Sequence, residues 1–187
     1  PRVVGQQHMQ ELQQTLLKND CYLPGFTNED LQDLARSAAI SATSETINGA
    51  AGNVINGVSR AVGQQSNCWI SESLAKPQTL SIRLEKAAAV HQLRLTFDTD
   101  LSHEIQPSIV RNVRERQVKG LPVELIKDYS VSLLHNGKVI IEREVKDNGQ
   151  RLNVIDFVPG QLCDTVQIAV HKTHGCDQAR IFEVRVY

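Results

Sequence analysis

Short segments in which apolar and polar residues alternate follow one another from residue 80 to the end of the chain. Because successive side chains of a β-strand point to opposite faces of a sheet, this alternation predicts strands with one buried face. The clearest of about eight such segments begin at Leu80, Leu93, Tyr129, Val139, Val154, Thr165 and Ile181. No long helical pattern separates them. The chain is therefore predicted to be all-β, an antiparallel β-sandwich of the jelly-roll type.

The pair Asn136 and Gly137 separates two of these segments. A two-residue type I′ turn needs positive φ at both central positions, and Asn-Gly is among the pairs that adopt it most readily. The chain from His135 to Lys138 is therefore predicted to form a tight hairpin turn.

The first part of the chain follows a different pattern. The segment Gln6–Lys18 contains no Gly or Pro and places apolar residues at helical spacing, which predicts an amphipathic helix. Residues Thr27–Asp30 offer a cap for a second, short helical turn. We expect a helix in residues 1–20, a linker with a helical turn in 21–36, and the sandwich in 37–187.

The apolar stripe of the N-terminal helix needs a partner surface. It either covers the sandwich or packs against a domain that precedes it. The chain begins at Pro1 rather than Met, so we expect an upstream domain of which residues 1–20 are the tail. The native N-terminus is not part of this sequence, which leaves the cellular location open.

The charges of the chain nearly cancel. Its 20 Lys and Arg residues face 21 Asp and Glu residues, for a net charge of −1, so no overall field attracts nucleic acid or an anionic membrane. No apolar stretch approaches the roughly 20 residues that cross a bilayer. We expect no nucleic-acid partner and no membrane span.

The cysteines predict free thiols rather than a disulfide framework, because they are sparse and no Cys-x-x-Cys occurs. Cys163, His171, His174 and Cys176 resemble a zinc-ligand set. The strand predicted between Cys163 and His171 separates them by roughly 20 Å, since a strand rises about 3.3 Å per residue. The other three residues remain an alternative cluster.

Catalytic motifs are missing from the sequence. There is no dinucleotide fingerprint, no Gly-x-Ser-x-Gly elbow and no His-Glu-x-x-His. Asp98 and Asp100 lie at the end of a predicted strand. Their carboxylates could be a catalytic pair, but a role in a turn or cap explains them equally well. We therefore predict no enzymatic activity for this chain itself.

The longest segment without a strand pattern, Thr99–Lys127, is rich in basic residues. Long loops in compact domains often bind ligands, and guanidinium groups suit carboxylate or phosphate. The candidate ligand-binding residues are His103, Arg111, Arg114 and Arg116, with a sugar acid or an acidic neighbouring surface as ligand. Alternatively, residues 108–117 form a helical turn with solvated Arg and Glu.

Trp69, the only tryptophan, is predicted to lie in the core rather than to form a ligand platform.

Two resemblances cover the chain. Ser41–Glu45, Asn53–Gly57, Trp69–Ser71, Leu80–Leu84 and Phe182–Tyr187 resemble, in order and spacing, the discoidin, or coagulation factor 5/8 type C, family of galactose-binding-like domains. Stretches along the whole chain are similar to the C-terminal region of a bacterial family of FAD-dependent oxidoreductases. These stretches are Leu12–Leu17, Tyr22–Gly25, Asp33–Arg36, Leu95–Asp100, Leu121–Leu125, Asp128–Tyr129 and Ala179–Glu183.

The resemblances imply a non-catalytic sandwich that binds carbohydrate and docks on a flavin-binding domain, with FAD held upstream and no cofactor in this chain. In discoidin-like modules calcium often ties an early loop to the last strand. The matching positions are Asn56 and Glu183, and Asn56 replaces an Asp there, which removes one charge from the site. The alternative is that Glu183 pairs with Arg185 or faces solvent. A purely structural module without a ligand is the alternative function.

Overall fold

The structure is a computed structural model of the chain that describes residues 28, 30–103, 109–117 and 119–187. The predicted helix over Gln6–Lys18 lies outside these residues. The strands of the described part are β1 (Ala39–Ala42), β2 (Trp69–Ser73), β3 (Gln78–Phe97), β4 (Ile126–His135), β5 (Lys138–Val145), β6 (Leu152–Thr173) and β7 (Gln178–Val186). Two short 3-10 turns, Leu34–Ser37 and Ala51–Ile55, and one short helix, α1 (Arg111–Arg116), accompany them.

The strands pair antiparallel in the order β2-β7-β3-β6-β4-β5, with β1 added on β3. The first part of β3 pairs with β1 and the second part of β6, whereas its second part pairs with the first part of β6 and with β7. The long strands β3 and β6 thus belong to both layers. The all-β, antiparallel sandwich predicted from the alternation is confirmed.

Two register shifts mark where β3 and β6 pass from one layer to the other. One lies between Arg83 and Ala88 and the other between Val90 and Gln92. Extra residues in a ladder bend and twist a strand, which is how a strand changes sheets at the corner of a sandwich. The segments that begin at Leu80 and at Leu93 were expected to be separate strands, but they form one bent strand.

The core lies between the two layers and consists of the alternating apolar residues. Leu80, Ile82, Leu93 and Leu95 are fully buried, and each such side chain contributes roughly 1.5–3 kcal/mol relative to exposure. Trp69 is also fully buried, as predicted, and its indole nitrogen donates a hydrogen bond to the Ser44 carbonyl at 2.9 Å.

The predicted hairpin turn is confirmed. Asn136 and Gly137 have φ values of 53° and 74°, and His135 pairs with Lys138 across the turn. A short helical turn is present as the 3-10 turn Leu34–Ser37, but its N-cap is Asp33 and not a residue of Thr27–Asp30, because the Asp33 carboxylate accepts a hydrogen bond from the Ala35 amide.

The sandwich has two distinct ends. The chain terminus, the bends of β3 and β6 and the Asp33 side chain, which accepts a hydrogen bond from the Val186 amide at 2.9 Å, lie at one end. Contacts between connecting segments gather the loops at the other end: the His174 Nε2 donates to the Asn148 carbonyl at 2.7 Å, and Arg151 donates to the Ser59 carbonyl. We call this second end the loop end. Its described segments are residues 43–68, 74–77, 98–103, 109–117, 119–125, 146–151 and 174–177.

Candidate functional site at the loop end

The segment between β1 and β2, residues 43–68, is held tightly against the edge of the sheet. Gly49 accepts a hydrogen bond from the Ile70 amide at 3.0 Å and donates one to the Thr46 carbonyl at the same distance. A Cβ atom on Gly49 would lie 2.4 Å from the Ile70 Cβ and 2.7 Å from its backbone nitrogen. Only glycine fits this close approach of two backbones.

Amide side chains fix the inner part of this loop. Asn56 accepts a hydrogen bond from the Val58 amide at 2.8 Å and donates to the Asn67 Oδ1 at 3.3 Å, and Asn67 donates in turn to the Arg60 carbonyl at 3.2 Å. Asn53 donates to the Cys68 carbonyl at 3.1 Å. The last three of these hydrogen bonds use a side-chain N–H of an asparagine, which the carboxylate of an aspartate could not supply.

A cleft of about 390 Å³ opens beside these amides. Its lining consists of Ile47, Asn48, Ala50, Asn53, Asn56, Gln64, Gln65, Ser66 and Asn67, so every polar lining side chain is neutral. Asn48, Gln64 and Gln65 are exposed. An amide both donates and accepts hydrogen bonds, so the cleft suits a neutral ligand rich in hydroxyl groups.

This cleft is not predicted from the sequence, because turn-forming residues explain the segment as a connection. The available signal was composition: six Asn and Gln residues of the lining lie between positions 48 and 67. A single turn needs only one or two such residues, so this number of amide side chains indicates a further role.

Charged side chains cluster where this loop meets the ends of β3 and β7. Arg151 donates to the Ser59 carbonyl, and its guanidinium carbon lies 5.8 Å from the centre of the Phe182 ring. Burial lowers the pKa of Arg151, and the nearby Asp98 and Glu183 carboxylates oppose this shift. The role of Arg151 is not predicted from the sequence, because its partner Ser59 is 92 positions away.

Two further ion pairs complete this cluster. Arg180 lies 3.4 Å from the Asp98 carboxylate, and Arg185 lies 2.8 Å from the Glu183 carboxylate. The hydrogen bond to Glu183 raises the pKa of Arg185. The Nε atoms of Arg151 and Arg180 are buried and have no hydrogen-bond partner among the described residues.

The two residues matched to a calcium site are already engaged by the protein. The Asn56 Oδ1 accepts from Val58, and the Glu183 Oε1 accepts from Arg185, which is the alternative considered for this carboxylate. Calcium needs six to eight oxygen ligands, and the Arg151 guanidinium, which donates to the Ser59 carbonyl of this loop, already places a positive charge near Glu183. These residues do not fit a calcium ion.

The remaining zinc alternative has no geometric support. His171 lies 3.3 Å from the Ser130 hydroxyl, and His174 contacts the Asn148 carbonyl at 2.7 Å. Among residues 28, 30–103, 109–117 and 119–187, no group of three or more His, Cys, Asp or Glu side chains is arranged to hold a metal. Cys68, Cys163 and Cys176 are free thiols.

The four predicted ligand-binding residues lie on the loop between β3 and β4. His103 is exposed, with its Nδ1 3.3 Å from the Asp100 carboxylate. Arg111 begins α1 and is 86% exposed, and its Nε lies 2.7 Å from the Glu115 carboxylate. Arg114 and Arg116 belong to the same helix, but their side chains fall outside the described part. Their role as a ligand site stays a prediction, and α1 agrees with the alternative of a helical turn.

Asp98 and Asp100 have the structural role expected of a strand end. The Asp98 Oδ1 accepts a hydrogen bond from the Asp100 amide at 2.8 Å, which closes a turn after β3. No helix of the described part is long and apolar enough to span a membrane.

No family model and no curated protein matches the chain, but solved structures do. The lectin domain of lectinolysin, complexed with Lewis b antigen, has a TM-score of 0.63 at 14% identity, covering 84% of this chain and 96% of that one. A fucose-binding module of Streptococcus pneumoniae gives 0.63 and 14%, covering 84% and 98%. The family 32 carbohydrate-binding module of NanJ from C. perfringens, in complex with galactose, gives 0.58 and 21%, covering 82% and 96%. The chain therefore has the discoidin-like, galactose-binding-like β-sandwich fold of these carbohydrate-binding modules.

Proposed function

We propose that the chain is a non-catalytic carbohydrate-binding accessory domain, and that a neutral sugar binds in the amide-lined cleft at the loop end. The observation that carries this proposal is the lining itself: six amide side chains and one hydroxyl, without a charged group. Sugar hydroxyls donate and accept hydrogen bonds, as amides do. Ile47, which is fully exposed at the cleft, offers an apolar surface to the face of a sugar ring.

The structural neighbours support the class of ligand. Two of them were solved with a bound glycan, Lewis b antigen in one and galactose in the other. Their identities to this chain are 14% and 21%, so they support carbohydrate as the class and do not identify the sugar.

The predicted arginine site favours a different sugar, because guanidinium groups select acidic ligands. The Arg111 side chain is largely solvated and pairs with Glu115. An ion pair within α1 compensates its charge, which makes the cleft the better supported site.

A glycan array followed by calorimetric titration tests the two sites. Replacing Gln64 and Gln65 by Ala should weaken binding of a neutral sugar about tenfold, since each lost hydrogen bond is worth roughly 0.5–1.5 kcal/mol. Gln32→Ala, an exposed glutamine outside the cleft, is the matched control. Arg111→Ala with Arg114→Ala should leave this affinity unchanged.

Other outcomes have defined meanings. Binding of an acidic sugar that is lost only in the double arginine variant would place the site on the loop between β3 and β4. Silence across neutral and acidic sugars would indicate the purely structural alternative and overturn the proposal.

We further propose that the domain belongs to a larger FAD-dependent oxidoreductase and docks on its flavin-binding domain. The support is the sequence resemblance along the whole chain, including Leu12–Leu17 and Ala179–Glu183. The expected upstream sequence is a strand, Gly-x-Gly-x-x-Gly and a helix, and the full-length protein should show flavin absorbance. A full-length protein without either property would contradict this parentage while leaving the carbohydrate proposal intact.

A further inference from the structure

Arg151 connects three parts of the loop end. Its carbonyl accepts a hydrogen bond from the Phe97 amide at 2.8 Å, which anchors the residue at the end of β3. Its guanidinium group reaches across to the Ser59 carbonyl and lies over the Phe182 ring of β7. One side chain therefore joins the loop of residues 43–68 to the strands beneath it.

The charges around Arg151 already balance without a metal ion. Asp98 and Glu183 are the carboxylates that act on it, and each is also paired with an arginine, Arg180 and Arg185 respectively. Arg185 also lies 3.7 Å from the Asp30 carboxylate, so three guanidinium groups face three carboxylates. A divalent cation placed here would add uncompensated positive charge beside three guanidinium groups, which Coulomb's law disfavours at short distances.

The loop itself is built to use amide donors. Asn56 donates to Asn67, and Asn67 donates to the Arg60 carbonyl. An Asp at position 56 would add a charge for a metal but would remove the first donor of this relay. The Asn56 amide and the Arg151 guanidinium therefore both suit a loop that is held by hydrogen bonds and not by a metal ion.

We propose that Arg151 is a built-in cation that locks the loop of residues 43–68 onto β3 and β7, so that this domain orders its loop end without calcium. The guanidinium group donates to the Ser59 carbonyl of the loop and lies over the Phe182 ring of β7, and the Asp98 and Glu183 carboxylates are near enough to act on its charge. Because the cation is covalently part of the chain, its occupancy does not depend on metal concentration.

Thermal unfolding of the full chain in millimolar calcium chloride or in EDTA tests this proposal. The wild-type melting temperature should be the same in both. Arg151→Met should lower it by about 3–6 °C, the shift expected in a domain of this size for one lost charged hydrogen bond and its buried partners. Arg151→Lys should recover part of the loss. Arg143→Met, an exposed arginine on β5, is the matched control and should change little.

A local measurement separates loop locking from general destabilisation. Trypsin cleaves after Arg60, which is exposed in the same loop. Well below the melting temperature, Arg151→Met should speed cleavage at this bond at least several-fold, followed by mass spectrometry, whereas Arg143→Met should not. Calcium should not restore protection.

Two results would overturn the proposal. One is a wild-type chain that takes up one calcium ion in calorimetry and melts several degrees higher with it. The other is an Arg151→Met variant whose melting temperature and cleavage rate equal those of the control. If Arg151→Met does not fold, Arg151→Lys and the calcium titration of the wild type still decide the question.

Discussion

Asp33 is a buried carboxylate with a defined structural task. Its Oδ1 accepts hydrogen bonds from the Ala35 and Val186 amides, both at 2.9 Å, so it caps a 3-10 turn and also satisfies an edge N–H of β7. Asp33→Ala leaves the Val186 N–H buried without an acceptor, and we expect a loss of about 1–3 kcal/mol in the free energy of unfolding. Urea denaturation measures it.

Two variants make this prediction specific. Asp33→Asn keeps an acceptor oxygen at the same position and should lose clearly less stability. Asp177→Ala removes an exposed carboxylate and should be neutral within about 0.5 kcal/mol. Equal losses for Asp33→Ala and Asp177→Ala would refute the capping role.

The buried thiols predict how stability depends on alkaline pH. Burial raises the pKa of Cys68 and of Cys163 to about 11, from an ordinary value of 9.0. Because the folded pKa is above the unfolded one, the folded state binds more protons between these values. The contribution of each protonated thiol to the free energy of unfolding is fully present below pH 9. It is lost as the pH rises toward 11, and the loss is on the order of 1–2 kcal/mol per thiol.

The check is the slope of unfolding free energy against pH from 8 to 11. Cys163→Ala should make this slope shallower whatever it does to stability at neutral pH. Ser132→Ala, which changes a side chain that does not titrate in this range on β4, should leave the slope unchanged. A slope that is the same in all three chains would contradict the prediction.

At the level of elements, alternation located the strands because burial on one face imposes a period of two. It did not show that β3 is continuous, since residues 87–89 are three alanines and carry no contrast between faces. The bend there depends on pairing with β6, which is a long-range property. The same limit applies to Arg151, whose role depends on residues far away in the sequence.

The hairpin turn between β4 and β5 requires glycine at position 137 for full stability. Gly137 has a φ of 74°, a region that costs an L-residue with a Cβ about 1–2 kcal/mol. Gly137→Ala should therefore lower the unfolding free energy by about that amount. Gly52→Ala is the control, because a Cβ there meets nothing within 4 Å and its φ is not positive. Chemical denaturation of the two variants compares them, and equal stabilities would mean that the turn does not constrain this position.

At the level of the whole molecule, the sandwich separates two tasks. The end near Tyr187 closes the core with the turn Leu34–Ser37, whereas the opposite end gathers the loops that form the cleft and the charged cluster. The sequence predicted a binding loop at Thr99–Lys127 and not at residues 43–68, and only the packing shows which side chains of the latter loop the fold uses internally. Asn53, Asn56 and Asn67 make hydrogen bonds within the loop, so Asn48, Gln64 and Gln65 are the amides that would contact the proposed sugar.

The contacts at the end near Tyr187 also predict how far the chain can be shortened from its N-terminal side. Ala35 is fully buried in the core, and Asp30 accepts a hydrogen bond from the Tyr187 hydroxyl at 2.7 Å. A chain of residues 28–187 keeps both contacts and should unfold cooperatively with a native near-ultraviolet spectrum. A chain of residues 38–187 loses the cap and the Ala35 contact and should be about 2–5 kcal/mol less stable. Paired urea melts of the two chains decide the matter, and equal midpoints would show that the segment before Ala38 contributes nothing to the core.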